Sequence, residues 1–165
     1  MPKYLAKASY TVLPATLALA LVSSLAQALE YKAGSLTITD PWVRASQGGG
    51  QAGGGLTITS TGSAPDHLLG GTAPGAARVE VHVTSNDGGT IQMRPVEGGI
   101  EIRPGETVRL APGGYHLMFI GLKQSFVEGE PVEGTLQFKS AGTVPVKFEM
   151  QPVGAKAPAG HGAKQ

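Results

Sequence analysis

The 165 residues contain no cysteine, and that absence excludes several chemistries at once. No disulfide can staple the fold, no thiolate can hold a metal, and there is no cysteine nucleophile. Aromatic residues are scarce at 5%, and charged residues make up only 15%. The lysines and arginines from Lys32 to Lys164 stand singly, so there is no basic stripe to neutralise the phosphates of a nucleic acid or to seek an anionic membrane surface. No serine sits in a G-x-S-x-G elbow, and the acids are dispersed without a pair, which argues against an enzyme. The glycine triplets Gly48–Gly50 and Gly53–Gly55 do not join a strand to a helix. They are expected to form a flexible loop between strands rather than a phosphate cradle.

A long apolar run is missing from most of the chain, but one stands near its start. Lys3 and Lys7 precede an apolar stretch from Thr11 to Leu25, followed by Ala26-Gln27-Ala28. Basic start, apolar centre and A-x-A site together predict a secretory signal cleaved before Leu29. The stretch is short for a membrane span, so residues 1–28 are read as a signal peptide and the remainder as periplasmic or otherwise extracytoplasmic. Removing it takes two lysines and no acid, leaving 11 basic against 12 acidic residues. The remaining chain of about 137 residues suffices for one packed core.

What is present is period-two alternation. Runs at Ser35–Thr39, Leu56–Ser60, Arg78–Thr84, Thr90–Met93, Thr107–Leu110, His116–Ile120, Thr135–Phe138 and Val144–Met150 are separated by Gly-, Pro-, Asn- and Asp-rich turns. Short, evenly punctuated β-runs without a helical stretch predict an all-β antiparallel sandwich or barrel over residues 29–153. The tail from Gly154 to Gln165 lacks apolar residues to dock it and is expected to be disordered.

After the signal peptide only three methionines and four histidines remain, and two of each lie between His82 and Met118. Asp87-Gly88 lies between two β-runs and predicts a two-residue hairpin loop. With that loop, residues whose numbers sum to 175 face one another, and His82 stands opposite Met93. Facing Cβ atoms are about 4.5–5.5 Å apart, so imidazole and thioether converge. His116 and Met118 share one strand face, while Leu117 and Phe119 point to the core. Taken singly, each of these residues has an ordinary structural role open to it, and Met150 is read as core. His67, in a turn-like segment, is read as solvated. Together the four make two coherent pairs. Thioether and imidazole suit Cu(I), whereas zinc favours thiolate, imidazole or carboxylate, and calcium and magnesium favour oxygen. An electron-transfer blue-copper site needs a cysteine and is closed. Tyr115 and the neighbours of Met93 are expected to shape access to the ion.

The chain resembles the periplasmic copper chaperone family PCuAC. The likeness runs from about Asp40 to Pro152 and is carried by Ala77-Arg78-Val79-Glu80-Val81-His82, by Met93-Arg94-Pro95-Val96-Glu97-Gly98-Gly99, and by Leu110-Ala111-Pro112-Gly113-Gly114-Tyr115-His116-Leu117-Met118. Ten residues separate His82 from Met93 and 22 separate Met93 from His116, matching the family's metal signature. The resemblance implies a cupredoxin-like Greek-key β-sandwich that binds Cu(I) through His82, Met93, His116 and Met118. It also implies delivery toward cytochrome c oxidase subunit II, sometimes with a thioredoxin-like copper chaperone. Thr84 stands where relatives often carry a further methionine. Some relatives bind a second, oxidised copper, Cu(II), in a His- and Met-rich extension; the tail here has one histidine, His161. The rival readings are a copper-sequestering resistance protein and a metal-free β-sandwich interaction module.

Overall fold

A computed structural model describes residues 29–155. The signal peptide read at 1–28 lies outside the described residues, as does the tail from 156, including His161. The described chain is all β: β1 (Glu30–Ala33), β2 (Leu36–Arg44), β3 (Gln51–Ser60), β4 (Asp66–Thr72), β5 (Arg78–Asp87), β6 (Thr90–Pro95), β7 (Ile100–Ile102), β8 (Thr107–Leu110), β9 (Tyr115–Ile120), β10 (Val132–Phe138) and β11 (Gly142–Gln151).

Strand pairing runs β1-β2-β11-β10-β4-β5-β9-β3-β8, and a further β2–β3 pairing joins the ends of the path from β2 to β3 into a closed ring. The molecule is thus a flattened barrel, whose two walls meet as the layers of a sandwich. Nearly every pairing is antiparallel. The exception is β11, which runs parallel to β2 where Glu149–Gln151 meet Trp42–Arg44. Parallel neighbours cannot be joined by a hairpin, and these two strands come from opposite ends of the described chain.

Alternation decides which side chains fill the barrel. Ile38, Leu56, Ile58, Leu117, Leu136 and the rings of Phe119, Phe138 and Phe148 are fully buried, and Met150 joins the core. Phe119 from β9 meets Phe148 from the opposite wall edge-on, with centroids 5.1 Å apart, and Phe126 at 5.8 Å. Such pairs contribute about 0.5–1.5 kcal/mol beyond the burial of their area.

Three strands, β1, β4 and β7, arise where no β-run was expected, and β2 continues well past Thr39. Asp40-Pro41 looks like a stop, but Asp40 adopts φ 51° and the pairing with β3 shifts there. This is a bulge, in a conformation that Asp tolerates better than most residues. The second glycine triplet is a correction of the loop expectation. Gly53–Gly55 lie within β3, paired with β9 and β2, and at Gly54 and Gly55 only a residue without Cβ fits so near the Trp42 and Leu110 carbonyls. At the C-terminal side, Ala155 N donates to Pro152 O at 3.1 Å, and Arg44 Nη2 donates to Ala155 O at 2.7 Å.

Asp66 is a buried acid with a structural task. Its carboxylate accepts from the backbone N–H groups of Ser140 (2.7 Å), Ala141 (2.9 Å) and His67 (2.7 Å), tying the β10–β11 turn to β4. Burial pushes its pKa up, but these hydrogen bonds outweigh it and hold the carboxyl below its ordinary value of 3.8. The folded-state value is therefore the lower one. The stabilisation is present above the unfolded value and is lost as pH falls below about 4 through the folded one. Asp66→Ala is expected to cost about 2–4 kcal/mol in urea unfolding at neutral pH, because it removes the charged acceptor of three part-buried hydrogen bonds at once. The difference from wild type should shrink in acid.

Candidate metal centre

The candidate residues come together where β5, β6 and β9 meet. The hairpin loop lies one residue further along the chain than the Asp87-Gly88 expectation. Asp87 pairs with Thr90, so the loop is Gly88-Gly89, with φ 63° and 91°. Both loop positions need positive φ, which glycine adopts without a Cβ penalty, and Gly89 N–H donates to Asn86 Oδ1 at 3.0 Å. Facing numbers therefore sum to 177: Met93 stands opposite Thr84, and His82 opposite Pro95. The direct His82–Met93 pairing is thus corrected. A two-residue shift preserves the strand face, so Met93 still points to the side that carries His82.

On its other edge, β5 pairs with β9, which places His82 opposite His116 and Glu80 opposite Met118. The two imidazole rings lie 6.0 Å apart, tilted by 56°. Val81 and Leu117 face each other on the opposite side and are buried in the core. Met93, His116 and Met118 line one cleft of about 400 Å³, together with Trp42, Arg44 and Thr84. His82 does not line it; the ring sits beside His116 with its side chain 12% exposed. Exposure is graded across the set, from His116 at 5% to Met93 at 60%.

His116 Nδ1–H donates to Gly114 O at 3.0 Å, while its Nε2 is buried and has no hydrogen-bond partner. A buried polar atom left bare costs free energy. Here it is a lone pair held ready within a cleft that also presents two thioethers. His82 Nε2–H donates to Glu80 Oε2 at 2.9 Å, and the other Glu80 oxygen accepts from Arg78 Nε. Chiefly the hydrogen bond from His82, with that from Arg78 and its charge, holds the Glu80 carboxyl below its ordinary value against the opposing effect of burial. Among the described residues no group of three or more His, Asp or Glu side chains converges. The cleft itself presents one imidazole and two sulfurs, those of His116, Met93 and Met118, and the His82 ring stands beside His116.

Glu80, Trp42 and Arg44 escaped the sequence reading. Glu80 was within reach of it, since two residues before His82 on a strand is the same face. Arg44 lies 5.7 Å from the Trp42 ring, and nothing local in the sequence places that pair at the cleft. Tyr115 belongs elsewhere: it alternates away from His116, opposite Val83, and borders a depression with Ile100 and Val108. His67 lies in β4 opposite Glu101, not in a turn.

The family model of LpqE-like lipoproteins matches residues 36–150, from the first residue of β2 to the last but one of β11. The chain belongs to the LpqE-like family. A protein of Leifsonia xyli subsp. xyli named as lipoprotein Lxx21020 is 33% identical to this LpqE-like chain over 126 residues, covering 73% of it and 72% of the relative. Among solved structures, the copper-bound PCuAC domain from PmoF2 superposes with a TM-score of 0.63 and 26% identity, over 75% of this chain and 98% of that one. The Cu(I) form of DR1885 from Deinococcus radiodurans gives 0.56 and 27%, over 76% and 81%. The LpqE-like fold is therefore the PCuAC fold that the motifs around His82, Met93 and His116 implied.

Proposed function

We propose that this LpqE-like protein is an extracytoplasmic copper chaperone that binds one Cu(I) through His82, Met93, His116 and Met118 and passes it to an acceptor by ligand exchange. The observation that carries the reading is the bare, buried Nε2 of His116 in the cleft shared with Met93 and Met118. Soft neutral sulfur and imidazole select the cuprous ion. Copper in the PmoF2 domain and in DR1885, which share this fold, supports the same cargo.

The graded exposure supports transfer over storage. Met93 stands on a strand exposed along its whole length, so an acceptor's ligand can displace it first, while His116 holds the ion from below. All four donors are neutral, which leaves the ion's charge uncompensated within the set and favours release. The acceptor proposed is subunit II of cytochrome c oxidase, alone or with a thioredoxin-like copper chaperone. Anaerobic titration should saturate at one equivalent of Cu(I), and mixing with apo-subunit II should move the metal. Retention of copper by the loaded protein would favour sequestration instead, and no binding at all would refute the reading.

Met118 is half-buried beside Gly53 of β3 and opposite Glu80. Met118→Ile keeps a strand-compatible apolar side chain and removes the sulfur. The apo protein should unfold within about 1 kcal/mol of wild type, and Cu(I) affinity should fall about tenfold or more in competition with a cuprous chelator. Unchanged affinity would remove Met118 from the ligand set.

A further inference from the structure

Each imidazole of the candidate centre is tied down by one ring nitrogen, and the two use opposite nitrogens. His116 gives its Nδ1–H to the Gly114 carbonyl, and His82 gives its Nε2–H to the Glu80 carboxylate. Both acceptors can only accept, so each fixes one tautomer and leaves the other nitrogen with a free lone pair. We infer that Glu80 is a positioning residue that holds His82 as its Nε2–H tautomer, so that the cuprous ion is met by Nδ1 of His82 and Nε2 of His116. The inference rests on the copper-binding reading and specifies its ligand atoms.

The carboxylate is well placed for this task and poorly placed to bind the ion itself. One oxygen is taken by Arg78 and the other by His82, so Glu80 is braced from both sides along its own strand face. Carboxylate oxygen is also a hard donor that Cu(I) disfavours. Imidazoles that bind metals commonly donate their second N–H to a carboxylate or a backbone carbonyl, which orients the ring and raises its basicity. One partner of each kind is present here. Register adds a second effect: Glu80 faces Met118 across β5 and β9, so its negative charge lies beside an ion held by uncharged donors.

Cu(I) is diamagnetic, so the coordinated nitrogens can be read by NMR from the 15N shifts and two-bond couplings of ring-labelled histidine in the loaded full chain. The expected result is coordination at Nδ1 for His82 and at Nε2 for His116. Coordination of His82 through Nε2 would overturn the inference while leaving the copper site standing. Failure of either ring to respond to Cu(I) would overturn both. In affinity measurements Glu80→Leu should weaken Cu(I) binding about 10–100-fold. Glu80→Gln, which keeps an acceptor for Nε2–H but drops the charge, should recover most of that loss. Equal losses in the two variants would assign the effect to charge and overturn the positioning role. Should Glu80→Leu fail to fold, the nitrogen assignment in the wild-type protein decides alone.

Discussion

Replacing His116 with leucine is expected to lower Cu(I) affinity at least about 100-fold, or about 2.7 kcal/mol, while leaving the apo protein nearly as stable as before. The two halves of that expectation come from one atom. His116 is only 5% exposed, and its Nε2 has no partner; a bare buried acceptor of this kind costs about 1–3 kcal/mol. Leucine fills similar space without it. What leucine loses is the Nδ1–H bond to Gly114 O, a contact worth about 1 kcal/mol net. The terms oppose and nearly cancel. Chelator competition measures the first half, and thermal unfolding of the metal-free protein measures the second. A variant that keeps its copper but unfolds about 2 kcal/mol more easily would identify His116 as a packing histidine and remove the centre of the site.

Much of this site was legible because it depends on parity, and parity is robust. His116 and Met118 share a face whatever their neighbours do, and the hairpin keeps Met93 on the side of His82 even though its register differs from expectation. The register itself was less secure, because Asn86-Asp87-Gly88-Gly89 offers two adjacent loops and only backbone conformation chooses between them. Gly88-Gly89 wins because both positions adopt positive φ. The encounter between His82 and His116 was not legible at all. It depends on β9 lying beside β5, a pairing across more than 30 residues of chain that no local pattern encodes.

Two of the strands that went unread, β7 and β4, were hidden for separate physical reasons. β7 has three residues between Gly98-Gly99 and Arg103-Pro104-Gly105, too few to show alternation. β4 interrupts its pattern with Leu68-Leu69 and Gly70-Gly71, and Gly71 is needed where a Cβ would lie 2.1 Å from the Thr135 carbonyl. Glycine in a strand reads as a break, yet here it marks two backbones in close approach.

The same logic gives the largest expected loss of stability, in β3. A Cβ at Gly55 would lie 2.1 Å from the Leu110 carbonyl oxygen and 3.0 Å from Trp42, and one at Gly54 would lie 2.5 Å from the Trp42 carbonyl and 2.9 Å from Phe119. These are backbone atoms and core rings, which cannot swing aside as a flexible side chain would. Gly55→Ala should therefore cost about 3 kcal/mol or more, read as a lower urea midpoint, and should part β3 from β8. Gly53→Ala is the control, because its Cβ meets nothing within 4 Å although Gly53 lines the cleft and pairs with Met118. That variant should fold within about 1 kcal/mol of wild type. Since β3 supports β9 from the side away from β5, loosening Gly55 should also weaken the hold on His116 and Met118, and copper affinity should fall with stability in Gly55→Ala but not in Gly53→Ala. Equal stability of the two variants would mean that β3 is not wedged between Trp42 and Leu110, and that the wall behind the cleft is built some other way.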